Sequence, residues 1–96
     1  MININAQQYT ETPLTNLHIK ETYPLQQWIH TIVEFSSPKM PDDIIEPEIL
    51  VILNQQNEVL QIILHEEGCD SPNYQLTDHE KEQITTWLSK QNKHGF

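Results

Sequence analysis

Apolar positions along this chain gather into two dense runs and one looser stripe, with polar punctuation between them. Residues 49–53 read Ile-Leu-Val-Ile-Leu and residues 59–64 read Val-Leu-Gln-Ile-Ile-Leu, separated by Asn54, Gln55, Gln56 and Asn57. Two apolar, β-branched runs joined by a short polar tip predict a β-hairpin over about 48–65. Both faces of the first run are apolar, so that strand is expected to be central and covered on two sides. In so short a chain the cover has to come from a C-terminal helix together with the N-terminal part or a second subunit. A homodimer is therefore one arrangement the pattern allows.

The looser stripe lies after Thr77-Asp78-His79-Glu80, which has the spacing of a capping box. It predicts a helix over about 78–91, with Ile84, Trp87 and Leu88 on the buried side. Asp78, Glu80 and Glu82 at its start, and Lys90 and Lys93 near its end, suit the helix dipole.

Residues 23–35 fit two periods. As a helix, Pro24 takes the first position and Leu25, Trp28, Ile29, Ile32 and Val33 form a stripe. As a strand, Ile29, Thr31, Val33 and Phe35 share a face, with Trp28, His30 and Ile32 opposite. The β-branched cluster favours the strand. Earlier, Ile2 and Ile4 alternate, as do Leu17 and Ile19, and each pair predicts a short edge strand, with a connection over 7–15. Pro38, Pro41 and Pro47 mark 36–47 as a loop, and Gly68 and Pro72 mark 66–75 as another. The expected fold is α+β: one domain over 1–96, a small antiparallel meander of three to four strands, and one C-terminal helix packed on a face.

Composition supports folding. Leu, Ile, Val and Phe make up 26 of 96 residues, above the roughly 20% below which a highly charged chain is expected to stay disordered. A lone Cys69 excludes an internal disulfide and fits a reducing compartment. The first residues have neither a basic nor an apolar signal-peptide region. No apolar run approaches the ~20 residues needed to cross a bilayer. A cytoplasmic domain is the expectation.

Charge is the strongest signal in the composition. Between Glu34 and Glu82 stand twelve acids against Lys39 and Lys81, a net charge of −10, and the chain contains no arginine. Sequence-specific DNA readers depend on Arg contacts to guanine and on many phosphate contacts. Direct nucleic-acid binding is thus disfavoured, as is an anionic membrane surface. Such a field selects basic partners instead. The acids concentrate at three places: Asp42, Asp43 and Glu46 in the first loop; Glu66, Glu67 and Asp70 in the second; and Glu80 and Glu82 as rim charges at the helix start.

The pattern suggests a non-enzymatic binding protein that occupies a basic, nucleic-acid-binding surface of a partner. Twelve isoleucines, ten glutamines and seven asparagines against a single alanine point to an AT-rich coding sequence, as in mobile elements. An inhibitor of host defence of the anti-CRISPR or anti-restriction type, acting as a DNA mimic, would fit that origin, that size and that charge. A structural or adaptor protein is the alternative, such as a small virion component or chaperone, binding through the hairpin and the Ile44/Ile45 pair.

Catalytic signatures are sparse. Two glycines exclude a phosphate-cradling loop, and there is no nucleophile elbow. His65, Cys69 and His79 have zinc-compatible donors, but the paired short spacing of structural zinc sites is absent. No cofactor is expected. A small metal- or cysteine-dependent enzyme would need those three residues to converge, and the acids around Cys69 oppose thiolate formation. Paired carboxylates at 42/43 and 66/67 are read as solvated loop residues. His30, Trp28 and Trp87 are read as side chains of the core or its edge.

Overall fold

A computed structural model of the chain describes residues 1–5, 8–9, 11 and 13–92. In chain order the elements are β1 (Ile2–Asn3), β2 (Gln8–Tyr9), β3 (Thr15–Leu25), β4 (Trp28–Ser36), β5 (Pro47–Leu53), β6 (Val59–Glu66), β7 (Cys69–Asp70), β8 (Tyr74–Gln75) and α1 (Asp78–Asn92). The β-branched and aliphatic runs zip into a five-stranded antiparallel meander, β3-β4-β5-β6-β7. A second, small sheet has the order β2-β1-β8. The fold is α+β with one C-terminal helix, as the pattern predicts, although the main sheet has five strands rather than three or four.

Residues 23–35 are strand, but they do not form one element. Residues 23–25 close β3, Gln26 turns the chain with φ 59°, and β4 starts at Trp28. Leu17 and Ile19 sit in the same β3, an eleven-residue edge strand rather than a short one. The second loop also contains more order than its composition suggests. Glu67 (φ 53°) and Gly68 (φ 80°) form a two-residue turn with both residues left-handed, which starts β7.

One bulge decides which side chains face where. Ile19 pairs with Val33, and Glu21 with Ile32, so Lys20 is an extra residue in β3. Strict alternation would put Ile19, Glu21, Tyr23 and Leu25 on one face. The extra residue leaves Ile19 packed against the core and moves the other three to the opposite side.

The core lies between the sheet and α1. Val33, Phe35, Ile49, Val51, Leu53, Ile62 and Leu64 from the sheet meet Ile84 and Leu88 of the helix, with Met1, Leu14, Tyr74 and Leu76 closing the sides. Trp87 packs on this cluster partly buried. Both halves of the capping box form: the Glu80 amide donates to Thr77 Oγ1 (3.2 Å) and the Thr77 amide to Glu80 Oε1 (2.9 Å). The helix and the N-terminal segment therefore cover the same face of β5. On the other face Ile32, Leu50, Ile52 and Ile63 stand outside the main core.

Candidate functional site

The acidic loops 37–46 and 67–68 leave the sheet at the same end, because Pro47 pairs with Glu66 in the β5–β6 ladder. Glu66 fastens them together. One of its oxygens accepts the Ile45 amide (2.9 Å), and the other accepts the Ser71 hydroxyl. The Glu67 amide reaches the Glu46 carbonyl at 3.4 Å. From the first loop, Asp43 accepts the hydroxyl of buried Tyr74. Ile44 packs on the core while Ile45 is 53% exposed, so the apolar pair is split between anchoring and display.

The six loop acids thus divide by task. Glu66 spends both oxygens on the frame, and exposed Asp43 spends one of its two on Tyr74. Asp42, Glu46 and Glu67 stand exposed at the joined loops, and exposed Asp70 lies on the neighbouring β7 beside His65 (3.1 Å). Partial bonding of two acids orders the backbone that carries the others, and charges on an ordered frame lose less freedom on binding than charges on a mobile one.

At the helix start, Glu80 is not a rim charge. It is 1% exposed, accepts the Met1 amine at 2.8 Å, and completes the capping box. The helix buries the turn that faces the N-terminal segment, and Glu80 lies on that turn. Glu82 is exposed two residues on. Sequence spacing identifies Glu80 as a cap but does not reveal that an amine meets it there.

The zinc-compatible residues are not brought together. His65 lies opposite Asp70 and Cys69 opposite Glu66, so strand alternation sends His65 and Cys69 to different faces. His79 sits on α1 beside Glu11 (3.5 Å). Among the described residues no group of three His, Cys, Asp or Glu side chains is placed to hold a metal ion. No helix among them is long and apolar enough to cross a membrane.

Two groups have shifted proton affinities. Lys20 is held above the ordinary lysine range, first by its hydrogen bond to Glu48 and then by that carboxylate's charge. The Tyr74 phenol is raised, first by donating to Asp43 and then by burial. A raised folded value means that the neutral phenol stabilises the fold below the unfolded value near ~10, and that this is lost as pH rises through the folded value. Phenolate absorbance is therefore expected to show one tyrosine ionising above the usual range. Tyr74→Phe should remove that late component, and a late component that persists in the variant would assign it elsewhere.

Sequence reasoning misses the hairpin corner. Tyr23, Leu25 and Trp28 are 38%, 49% and 36% exposed, and the Tyr23 ring lies 5.4 Å from His30. The bulge at Lys20 puts Tyr23 and Leu25 there, and no local signal announces it. Compared with family models, characterised proteins and solved structures, the chain has no match.

Proposed function

We propose that this chain is a non-enzymatic acidic binding protein whose joined loops occupy a basic, nucleic-acid-binding surface of a partner protein. The observation that carries this reading is the Glu66 staple, which holds Asp42, Glu46, Glu67 and Asp70 exposed around one end of the sheet. Carboxylates on a fixed frame can take the places of phosphates in a basic groove, and the −9 net charge steers approach to it. An inhibitor of host defence of the anti-CRISPR or anti-restriction type is the particular form that suits this chemistry. Its occupancy would exclude the nucleic acid by competition.

The test separates display from frame. The quadruple variant D42N/E46Q/E67Q/D70N removes the displayed charge and leaves Glu66 and Asp43 in place. Capture from a host extract at low salt, with wild type and variant side by side, identifies the partner. Binding of wild type to that partner is expected to weaken about tenfold or more as salt rises from about 0.05 to 0.5 M, with the Debye length shrinking from roughly 14 to 4 Å. Nucleic acid should compete, and the variant should bind at least tenfold more weakly. A variant that binds as tightly as wild type, or a complex indifferent to salt, rejects the reading.

Adaptor function through apolar surface is the second reading, favoured by the exposed Tyr23, Leu25 and Trp28 corner. It predicts a complex that survives high salt and fails on Trp28→Ala.

A further inference from the structure

The face of the main sheet opposite α1 is apolar in the middle and charged at one end. Its side chains fall into rows across the strands. Tyr23, His30, Ile52 and Gln61 make one row; Glu21, Ile32, Leu50 and Ile63 the next. The row nearest the acidic loops carries His18 and Lys20 on β3, then Glu34, Glu48, His65 and, on β7, Asp70. One ion pair and two histidine–carboxylate contacts run along it: Lys20–Glu48 at 2.8 Å, His18–Glu34 at 3.0 Å and His65–Asp70 at 3.1 Å. Basic groups thus mark the β3 side, and an exposed acid marks the β7 side.

We propose that this face pairs with a second copy of the chain about a twofold axis running along β5. Such an axis exchanges β3 with β7 and β4 with β6, and lays β5 on its own mate. Ile32 then meets Ile63 of the second copy, while Leu50 and Ile52 meet themselves. Along the charged row, the β3 bases His18 and Lys20 face Asp70, and Glu34 faces His65. Only Glu48 meets its like, and each Glu48 already holds a Lys20 ammonium. The face is therefore self-complementary in both apolarity and charge, the requirement of an isologous interface. Aligned sheets pack about 10 Å apart with strand directions within roughly 30° of each other. An axis along β5 sets that angle near zero, which keeps the rows in register out to the β3 and β7 edges. Pairing here leaves Asp42, Glu46 and Glu67 at the end of the sheet, outside the interface, and covers Asp70, the one displayed acid that the dimer and the basic partner would share.

Four strand spacings of about 4.8 Å and three rows of about 6.7 Å give a footprint on the order of 400 Å². A standard interface takes ~800 Å² from each partner. Association is accordingly expected at micromolar rather than nanomolar concentration.

Two exposed residues give the test, since Lys20 and Asp70 side chains are 51% and 78% accessible and neither belongs to the core. Sedimentation of the wild type from about 1 μM to about 1 mM should show a monomer–dimer equilibrium. Lys20→Glu alone sets acid against acid across the axis, and Asp70→Lys alone sets base against base. Each should shift the midpoint at least tenfold toward monomer, while the thermal midpoint in dilute solution falls by no more than about 4–8 °C, as the loss of an exposed pair requires. An equimolar mixture of the two variants restores both cross-axis pairs and should dimerise at least tenfold more tightly than either variant alone. A monomeric wild type at the highest concentration, single variants that dimerise normally, or a mixture no better than its components each overturns the proposal.

Discussion

Replacing Glu80 with alanine is expected to cost about 3–5 kcal/mol, the range for removing one partner of a buried ion pair. A 96-residue domain has roughly 5–14 kcal/mol in total, so the variant should lose between about a fifth and all of its stability. The size of the effect follows from what the carboxylate does. One oxygen accepts the Met1 amine at 2.8 Å, with the side chains on both sides almost fully buried, and the other accepts the Thr77 amide. Alanine leaves a buried ammonium and a helix-start amide without their acceptor. Glutamine keeps one neutral acceptor and should lose less. Urea unfolding is the measurement: the midpoint should fall in the order wild type, E80Q, E80A, with little change in slope. An E80A midpoint close to wild type would mean that the amine does not depend on this carboxylate.

Glu80 also shows where the sequence is readable and where it stops. The capping box is a local signal, because Thr77 and Glu80 interact across a single turn, and spacing alone reveals it. Which side of that turn is buried depends on residues about eighty positions away, and spacing carries nothing about them. The same division holds for the sheet. The β5–β6 hairpin is legible because both apolar runs and the Asn54–Asn57 tip are contiguous; Asn54 Oδ1 accepts the amides of Gln56 and Glu58, each at 2.9 Å, to shape that tip. The facing of β3 is not legible. Inserting Lys20 as an extra residue reverses the parity of everything after it, and nothing in His18-Ile19-Lys20-Glu21 marks the spot.

The candidate site is readable to the same depth. The two acidic loops are visible as Pro- and Gly-punctuated clusters, but their union rests on Glu66 reaching across to Ile45, a contact between residues 21 positions apart. Charge counting treats Asp43, Glu66 and Glu80 as equal to Asp42 and Glu67. Structure separates them: Glu66 and Glu80 each accept bonds inside the fold on both oxygens and offer little to a partner, while exposed Asp43 commits one oxygen to Tyr74. The net charge is what a distant partner meets, while only the exposed acids make the contact. The charge of the chain therefore overstates its recognition surface.

Cutting Ile49 to alanine is expected to cost about 2–5 kcal/mol, near the upper range for a single core truncation. Ile49 is fully buried between Val33 and Leu64 on its own sheet face and under the helix side of the core. Its removal opens a cavity enclosed on all sides, so the lost transfer energy and the lost packing add. Leu50, the next residue, is nearly as buried at 7% exposure, yet it points to the face that α1 does not cover. Its neighbours there are buried Ile32 and half-buried Ile63, with no helix laid over them to hold them in place, so they can settle into the gap. Leu50→Ala should therefore cost only roughly 1–2 kcal/mol in dilute solution, below what its burial alone suggests. At concentrations where the second copy covers this face, the cost of Leu50→Ala should grow, while that of Ile49→Ala stays constant. Denaturant midpoints measured for both variants at low and high protein concentration read all four values. Equal costs for the two variants in dilute solution would mean that β5 is packed alike on both faces, contrary to a core that lies on the helix side alone.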